Sequence, residues 1–226
     1  MEYEFLTVNK EIVKINLTDK NDEIIINEPE NIIAFQSDNH KNRIDYTIDE
    51  IKMKFYRSRS RIIGHSSIYV KSRYNATINI LELTKDKPFI FNLNLLAFTK
   101  NINVKLTIPS IKKGIFNKNI IQHECMGNGI VMYYGEGNSI QISLINAETI
   151  FVNPKNIIGY EKDIDCNFRT YGNFTATRGM DYHYKFTGPG KIIIQTQSLS
   201  TDTQESHENF FKRAFKEFVP GGGMLK

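Results

Sequence analysis

The chain reads as a succession of short stretches in which apolar and polar residues alternate. Glu11 to Leu17 alternates over its second half, and Thr77 to Leu83 alternates with one slip. Asn101 to Ile108 alternates cleanly, and Ser139 to Leu144 follows the same rule. Period-two alternation over four to eight residues marks strands with one buried face. Turn chemistry separates these stretches at Asp38-Asn39, Lys87-Pro88, Gly127-Asn128-Gly129, Gly135-Glu136-Gly137, Asn153-Pro154 and Gly188-Pro189-Gly190. The two central Gly-x-Gly segments are expected to be hairpin turns. Many short strands with frequent turns predict an all-β sandwich or barrel of packed antiparallel sheets.

One short phrase recurs. Asn31-Ile32-Ile33-Ala34-Phe35 returns as Asn94-Leu95-Leu96-Ala97-Phe98 and again as Asn156-Ile157-Ile158-Gly159-Tyr160, at spacings of 63 and 62 residues. Each copy leads into an alternating stretch, from Asn42, Asn101 and Asp163. A small residue followed by an aromatic predicts a strand that bends tightly while its ring caps the core. The recurrence predicts three related units, about 1–85, 86–148 and 149–200, in a single β-domain spanning 1–200. From 201 to 226 the period changes. Phe210, Phe211, Phe215 and Phe218 fall on one stripe with Ala214 and Val219, and a Gly-rich tail follows Pro220. This predicts one C-terminal amphipathic helix.

Composition supports the strands. The chain has 33 Ile and 23 Asn, against 11 Leu, 6 Ala and no Trp. Ile, Tyr, Phe and Thr suit a pleated, half-buried surface, whereas Ala and Leu favour helices. The Lys, Asn and Ile excess also reads as a coding bias. A net charge of +4 is mild, so a dedicated nucleic-acid surface is not expected. Two cysteines, Cys125 and Cys166, make no disulfide framework. The N-terminus has no signal-like segment and no window reaches 18 apolar residues, so a cytoplasmic location is expected, with membrane association second.

Around Gly188-Pro189-Gly190 the chain resembles a known family. Phe186-Thr187-Gly188-Pro189-Gly190-Lys191-Ile192-Ile193-Ile194-Gln195-Thr196-Gln197-Ser198 is similar to the closing signature of homologues of "altered inheritance of mitochondria" protein twenty-four. Asn156 to Tyr160 resembles that family's last strand opening, and Asn31 to Phe35 an earlier one. The likeness covers residues 1–198 in element order and is specific in roughly the last 45. It implies packed antiparallel sheets of double-stranded β-helix type, near the tryptophan RNA-binding attenuation protein (TRAP-like). It implies no catalytic residue. The family's Gly-rich loops are replaced here by Met53 to Arg61 and by Arg169 to Asn173.

Candidate chemistry is sparse. No nucleophile elbow, phosphate loop or dinucleotide fingerprint occurs. The histidines form no His-x-His, although His123 and Cys125 would share a strand face. No catalytic residue, metal or cofactor is expected, and the chain is read as no enzyme. Arg57, Arg59 and Arg61 alternate with serines, which aims three guanidiniums at one face, and Arg73 follows nearby. These four are candidate anion-binding residues for RNA or lipid headgroups, or a charged edge that resists aberrant pairing. The phenylalanine stripe is a candidate interaction helix, for its own body, a subunit or a membrane periphery. The leading expectation is a non-enzymatic β-scaffold that forms a homo-oligomer. An anion-binding module is the alternative, with nucleic acid the less favoured partner, and a small-molecule or metal-binding protein on a cupin-like scaffold comes third.

Overall fold

The computed structural model describes residues 1–49, 56–92, 94–107, 122–171 and 181–197. The candidate helix residues Phe210, Phe211, Phe215 and Phe218 lie outside them. The first strands are β1 (Glu2–Phe5), β2 (Ile12–Leu17), β3 (Glu23–Ile26), β4 (Ile32–Ser37), β5 (Arg43–Asp49), β6 (Tyr56–Ile63), β7 (Ser66–Lys71) and β8 (Ala76–Leu83). Then come β9 (Phe89–Phe91), β10 (Leu95–Thr99), β11 (Ile102–Thr107), β12 (Gln122–Gly127), β13 (Gly129–Glu136) and β14 (Ser139–Leu144). The last are β15 (Thr149–Val152), β16 (Ile157–Glu161), β17 (Asp165–Tyr171), β18 (Asp181–Thr187) and β19 (Gly190–Gln195). All their pairings are antiparallel.

Four sheets result. The first is β1-β2-β7-β4, the second β5-β6-β3-β10-β13-β8, the third β11-β12-β9-β16-β19-β14 and the fourth β15-β18-β17. The third order is the second with six added to every strand number. Three cores lie between successive sheets. Val13, Ile15, Ile68 and Val70 of the first sheet pack on Ile24, Ile26, Ile62 and Met132 of the second. On its other face the second sheet offers Leu81, Leu95, Phe98 and Tyr133 to Phe89, Phe91, Cys125 and Ile193 of the third. The third then turns Leu144, Ile157 and Ile192 to Val152, Cys166 and Phe186 of the fourth. Strand alternation therefore serves two cores at once in the middle sheets. Ile24 and Ile26 join one core while Ile25 packs on the next.

The recurring phrase has one local structure. β4, β10 and β16 each break register at the same place, between Ile32 and Ala34, Leu95 and Ala97, and Ile157 and Gly159. One extra residue there bends the strand and sharpens its twist. In β16 the small residue after the bulge, Gly159, lies against a neighbouring backbone. A Cβ at Gly159 would run into the Ile90 carbonyl oxygen and come within 2.8 Å of the Phe89 ring. The aromatic that follows packs inward at Phe98 and, partly buried, at Phe35 and Tyr160.

The Gly-x-Gly segments correct a sequence expectation. They are not hairpins, because the strands on either side belong to different sheets. Gly127 to Gly129 carries the chain from β12 in the third sheet to β13 in the second, and Gly135 to Gly137 carries it back to β14. Glycine is needed at these corners for clearance and for backbone angle. Gly127 and Gly137 have φ of 137° and 65°, and a Cβ at Gly127 would strike the Asn101 carbonyl.

Two buried asparagines tie neighbouring strands of one sheet at the bulges. The Asn92 amide nitrogen donates to the Ile158 carbonyl at 2.8 Å, and its side-chain Nδ2 to the Ile157 carbonyl at 2.9 Å. Asn27 makes the matching pair, backbone to the Leu96 carbonyl at 2.8 Å and Nδ2 to the Leu95 carbonyl at 3.0 Å. A bulge frees carbonyls from the ladder, and an amide side chain on the preceding strand's end satisfies them.

Candidate functional site

The arginine row lies on β6. Ile62 of this strand points into the core shared with the first sheet. Alternation therefore turns Arg57, Arg59 and Arg61 to the opposite face, toward the third sheet. Arg57 Nη1 lies 3.1 Å from His123 Nε2 on β12. The Arg59 guanidinium sits 5.5 Å from the centre of the Phe98 ring. Arg61 makes a forked pair with Glu23, both bonds 2.8 Å long. Arg73 stacks 4.5 Å over the Tyr134 ring and pairs with Glu28, its Nε donating to Glu28 Oε2 at 3.0 Å. Glu28 in turn accepts from Asn31 Nδ2 at 2.7 Å and from the Tyr134 hydroxyl at 3.1 Å.

His123 receives the first of these arginines. It is fully buried on the face of β12 that also carries Cys125. Burial, reinforced by Arg57, Arg59 and Arg73, pushes its pKa down to about 3. An arginine can only donate, so Nε2 accepts and the proton is assigned to Nδ1. That Nδ1 has no hydrogen-bond partner among the described residues. His123 is therefore a neutral acceptor at ordinary pH. The Cys125 thiol, two residues on, is pushed up to about 12 by burial and by Glu124. Such a thiol is an inert packing group. Both cysteines are free and buried.

Thus Arg57 meets the histidine and Arg59 lies over Phe98, Arg61 closes on Glu23 at the far end of the row, and Arg73 is held apart from the row by Tyr134 and Glu28. The His123 contact was illegible in sequence, since it joins residues 66 positions apart on different sheets. The Asn27 and Asn92 ties were also missed. The available signal was an Asn directly after a β-strand and shortly before the recurring phrase. Among the described residues no group of three His, Cys, Asp or Glu side chains could hold a metal ion, and no helix is long and apolar enough to cross a membrane.

Two hollows stand out. One, of about 10 Å³, lies between the third and fourth sheets against Asn92, Gln122, Tyr160, Cys166 and Tyr184. It has room for about one water. The other is an open groove of about 520 Å³ on the first sheet, lined by polar groups such as Asn16, Gln36, Ser37 and Ser67. Several of these already satisfy one another, with Ser67 donating to Asn16 Oδ1 at 2.8 Å and Ser66 Oγ to Ser37 Oγ at 3.1 Å.

Comparison with known proteins gives a family and a fold. A family model described as Mitochondrial biogenesis AIM24 matches residues 50–197. No curated protein matches the chain. Among solved structures, protein SPYM3_0169 from Streptococcus pyogenes superposes with a TM-score of 0.68 at 15% identity, over 94% of this chain and 99% of that one. At that identity the likeness concerns the fold alone.

Proposed function

The chain belongs to the Mitochondrial biogenesis AIM24 family, and on that premise we propose that it is a non-enzymatic β-scaffold that works by assembling with itself. One observation carries this reading: the reactive groups of the described interior are spent on packing. His123 is locked neutral against Arg57, and Cys125 and Cys166 are enclosed in cores. The middle sheets are covered on both faces, so the interior is given to cohesion. Size-exclusion chromatography with light scattering tests the reading. A mass above 26.2 kDa that rises with concentration supports it, and a strict monomer over the whole range overturns it.

The same reading takes the body as three related units of TRAP-like, double-stranded β-helix type, with a cytoplasmic setting. The six-strand offset between the second and third sheets and the bulge repeated at Ile33, Leu96 and Ile158 favour related units. A second reading is an anion module for RNA or headgroups. The alignment of Arg57, Arg59 and Arg61 on one face of β6 favours it. Retention on heparin that falls with salt and is lost in an Arg57→Ala, Arg59→Ala, Arg61→Ala variant is its expected outcome, and unchanged retention refutes it.

A further inference from the structure

Three sheets end on the same side in matching strands: β2 beside β7, β8 beside β13 and β14 beside β19. In the first sheet the outer edge of β2 is filled by an antiparallel strand, β1, in the register Glu2 to Asn16 through Phe5 to Val13. In the second, the turn between β1 and β2 meets the edge of β8, where the Ile78 N–H donates to the Lys10 carbonyl at 2.8 Å. In the third, no described residue pairs with the outer edge of β14.

The backbone groups on that edge can be named. Thr196 N–H donates to the Asn138 carbonyl at 3.0 Å, one step before the Ser139–Gln195 pair. Antiparallel bonds alternate along a strand. The groups of Ile140, Ile142 and Leu144 therefore face β19, and those of Ser139, Gln141 and Ser143 face outward. The second sheet agrees. Leu81 opposite Val131 matches Ile142 opposite Ile192, because Val131 and Ile192 pair in turn with Phe98 and Tyr160. Ser139 thus corresponds to Ile78, whose N–H does point outward.

Exposed edges normally carry a device that blocks pairing. β1 has Glu2 and Glu4, β5 has Arg43 and Asp45, β11 has Lys105, and β17 has Asp165 and Arg169. β4 is bulged, β15 has four residues, and β8 is met by Lys10. β14 has six residues, with no charge, no proline and no register break. Its Ile140 is 46% exposed.

We propose that β14 is a homodimer contact, pairing antiparallel with β14 of a second copy about a two-fold axis at Gln141. This rests on the self-assembling reading and names its site. Centring on Gln141 sets Ser139 against Ser143 and Ile140 against Ile142 of the other copy, so like meets like. The outward N–H and C=O of Ser139, Gln141 and Ser143 are then all satisfied. The third sheets of two copies become one continuous sheet, as β1 already extends the first.

The experiment is light scattering on the full chain and its edge variants. Wild type and Gln141→Ala should reach twice 26.2 kDa at micromolar concentration. Gln141→Pro deletes only an outward N–H and should weaken association by about tenfold or more. Gln141→Lys and Gln141→Glu should each be monomeric alone, since like charges would oppose across the axis, and should dimerise when mixed at low salt. The lysine and glutamate pair keeps the test valid even if the proline variant fails to fold. A wild-type dimer that both variant sets leave intact overturns this contact and spares the scaffold. A wild type that stays monomeric overturns both, and slow amide exchange at Gln141 in that monomer would show the edge covered within the same chain.

Discussion

Asn92 and Asn27 hold matching places but are not equally committed, and truncating each to Ala should separate them. Asn92 is 2% exposed. Its Nδ2 serves the Ile157 carbonyl, and its Oδ1 accepts from Gln122 Nε2 at 2.8 Å. Asn92→Ala keeps the backbone bond to Ile158 and takes one hydrogen bond from each of two buried groups, the Ile157 carbonyl and the Gln122 amide. Each such loss costs about 1–3 kcal/mol. The hollow beside Asn92 lets a water return part of this, which brings the expected loss to about 3 kcal/mol. Asn27→Ala orphans only the Leu95 carbonyl, and it removes an Oδ1 that is buried with no partner among the described residues. Those two effects oppose, so its net change should lie within about 1 kcal/mol of zero. Urea unfolding reads both, as a shift in midpoint at constant slope. At about 2–4 °C per kcal/mol, Asn92→Ala should also melt about 6–12 °C lower. If Asn27→Ala loses as much as Asn92→Ala, the hydrogen-bond accounting is wrong and the two asparagines act only by shape.

Gly159→Val should destabilise by about 2–3 kcal/mol in the same urea assay, because its side chain meets the Ile90 carbonyl and the Phe89 ring. Cys125 should resist alkylation at pH 8 in the native protein and react once denaturant is added, since its thiol is pushed up to about 12; rapid native labelling at Cys125 by mass mapping would contradict its enclosure. His123 has a folded pKa depressed from 6.5 to about 3, so the unfolded chain binds the extra proton between those values. Its contribution is fully present above about pH 6.5 and is lost as pH falls toward 3, at up to about 1.4 kcal/mol per unit. His123→Gln should therefore show a shallower acid limb in urea midpoints measured from pH 7 to 4, and an unchanged slope would show that His123 is not held neutral.

The strands were legible because alternation is a local property. Thr77 to Leu83 and Ser139 to Leu144 show it in sequence and form β8 and β14. The recurring phrase was legible for the same reason, and its bend follows from a small residue beside a bulge. Partnership was not legible. Gly127-Asn128-Gly129 has the chemistry of a hairpin, but the same positive φ also serves a corner between sheets, and only pairing distinguishes them. The candidate arginines were found by spacing, while His123, which receives Arg57, gave no local sign. The Asn excess looked like coding bias, yet Asn27, Asn31, Asn92 and Asn94 are all buried. An amide that satisfies a distant carbonyl cannot be told from a loop residue until the distant strand is in place.

The interleaving of the middle sheets bears on how the chain matures during synthesis. β3 pairs with β10, and β8 pairs with β13, so the second sheet waits for segments made much later than its first members. While residues up to Leu83 emerge, β3 and β8 have no neighbour on those sides; the edge of β3 stays open until Thr99 has been made and that of β8 until Glu136. Contacts of such long sequence separation slow folding and prolong exposure. A ribosome pausing before β13 would thus hold a sticky nascent chain, and cutting the gene between the recurring phrases would yield fragments that each lack half of a sheet.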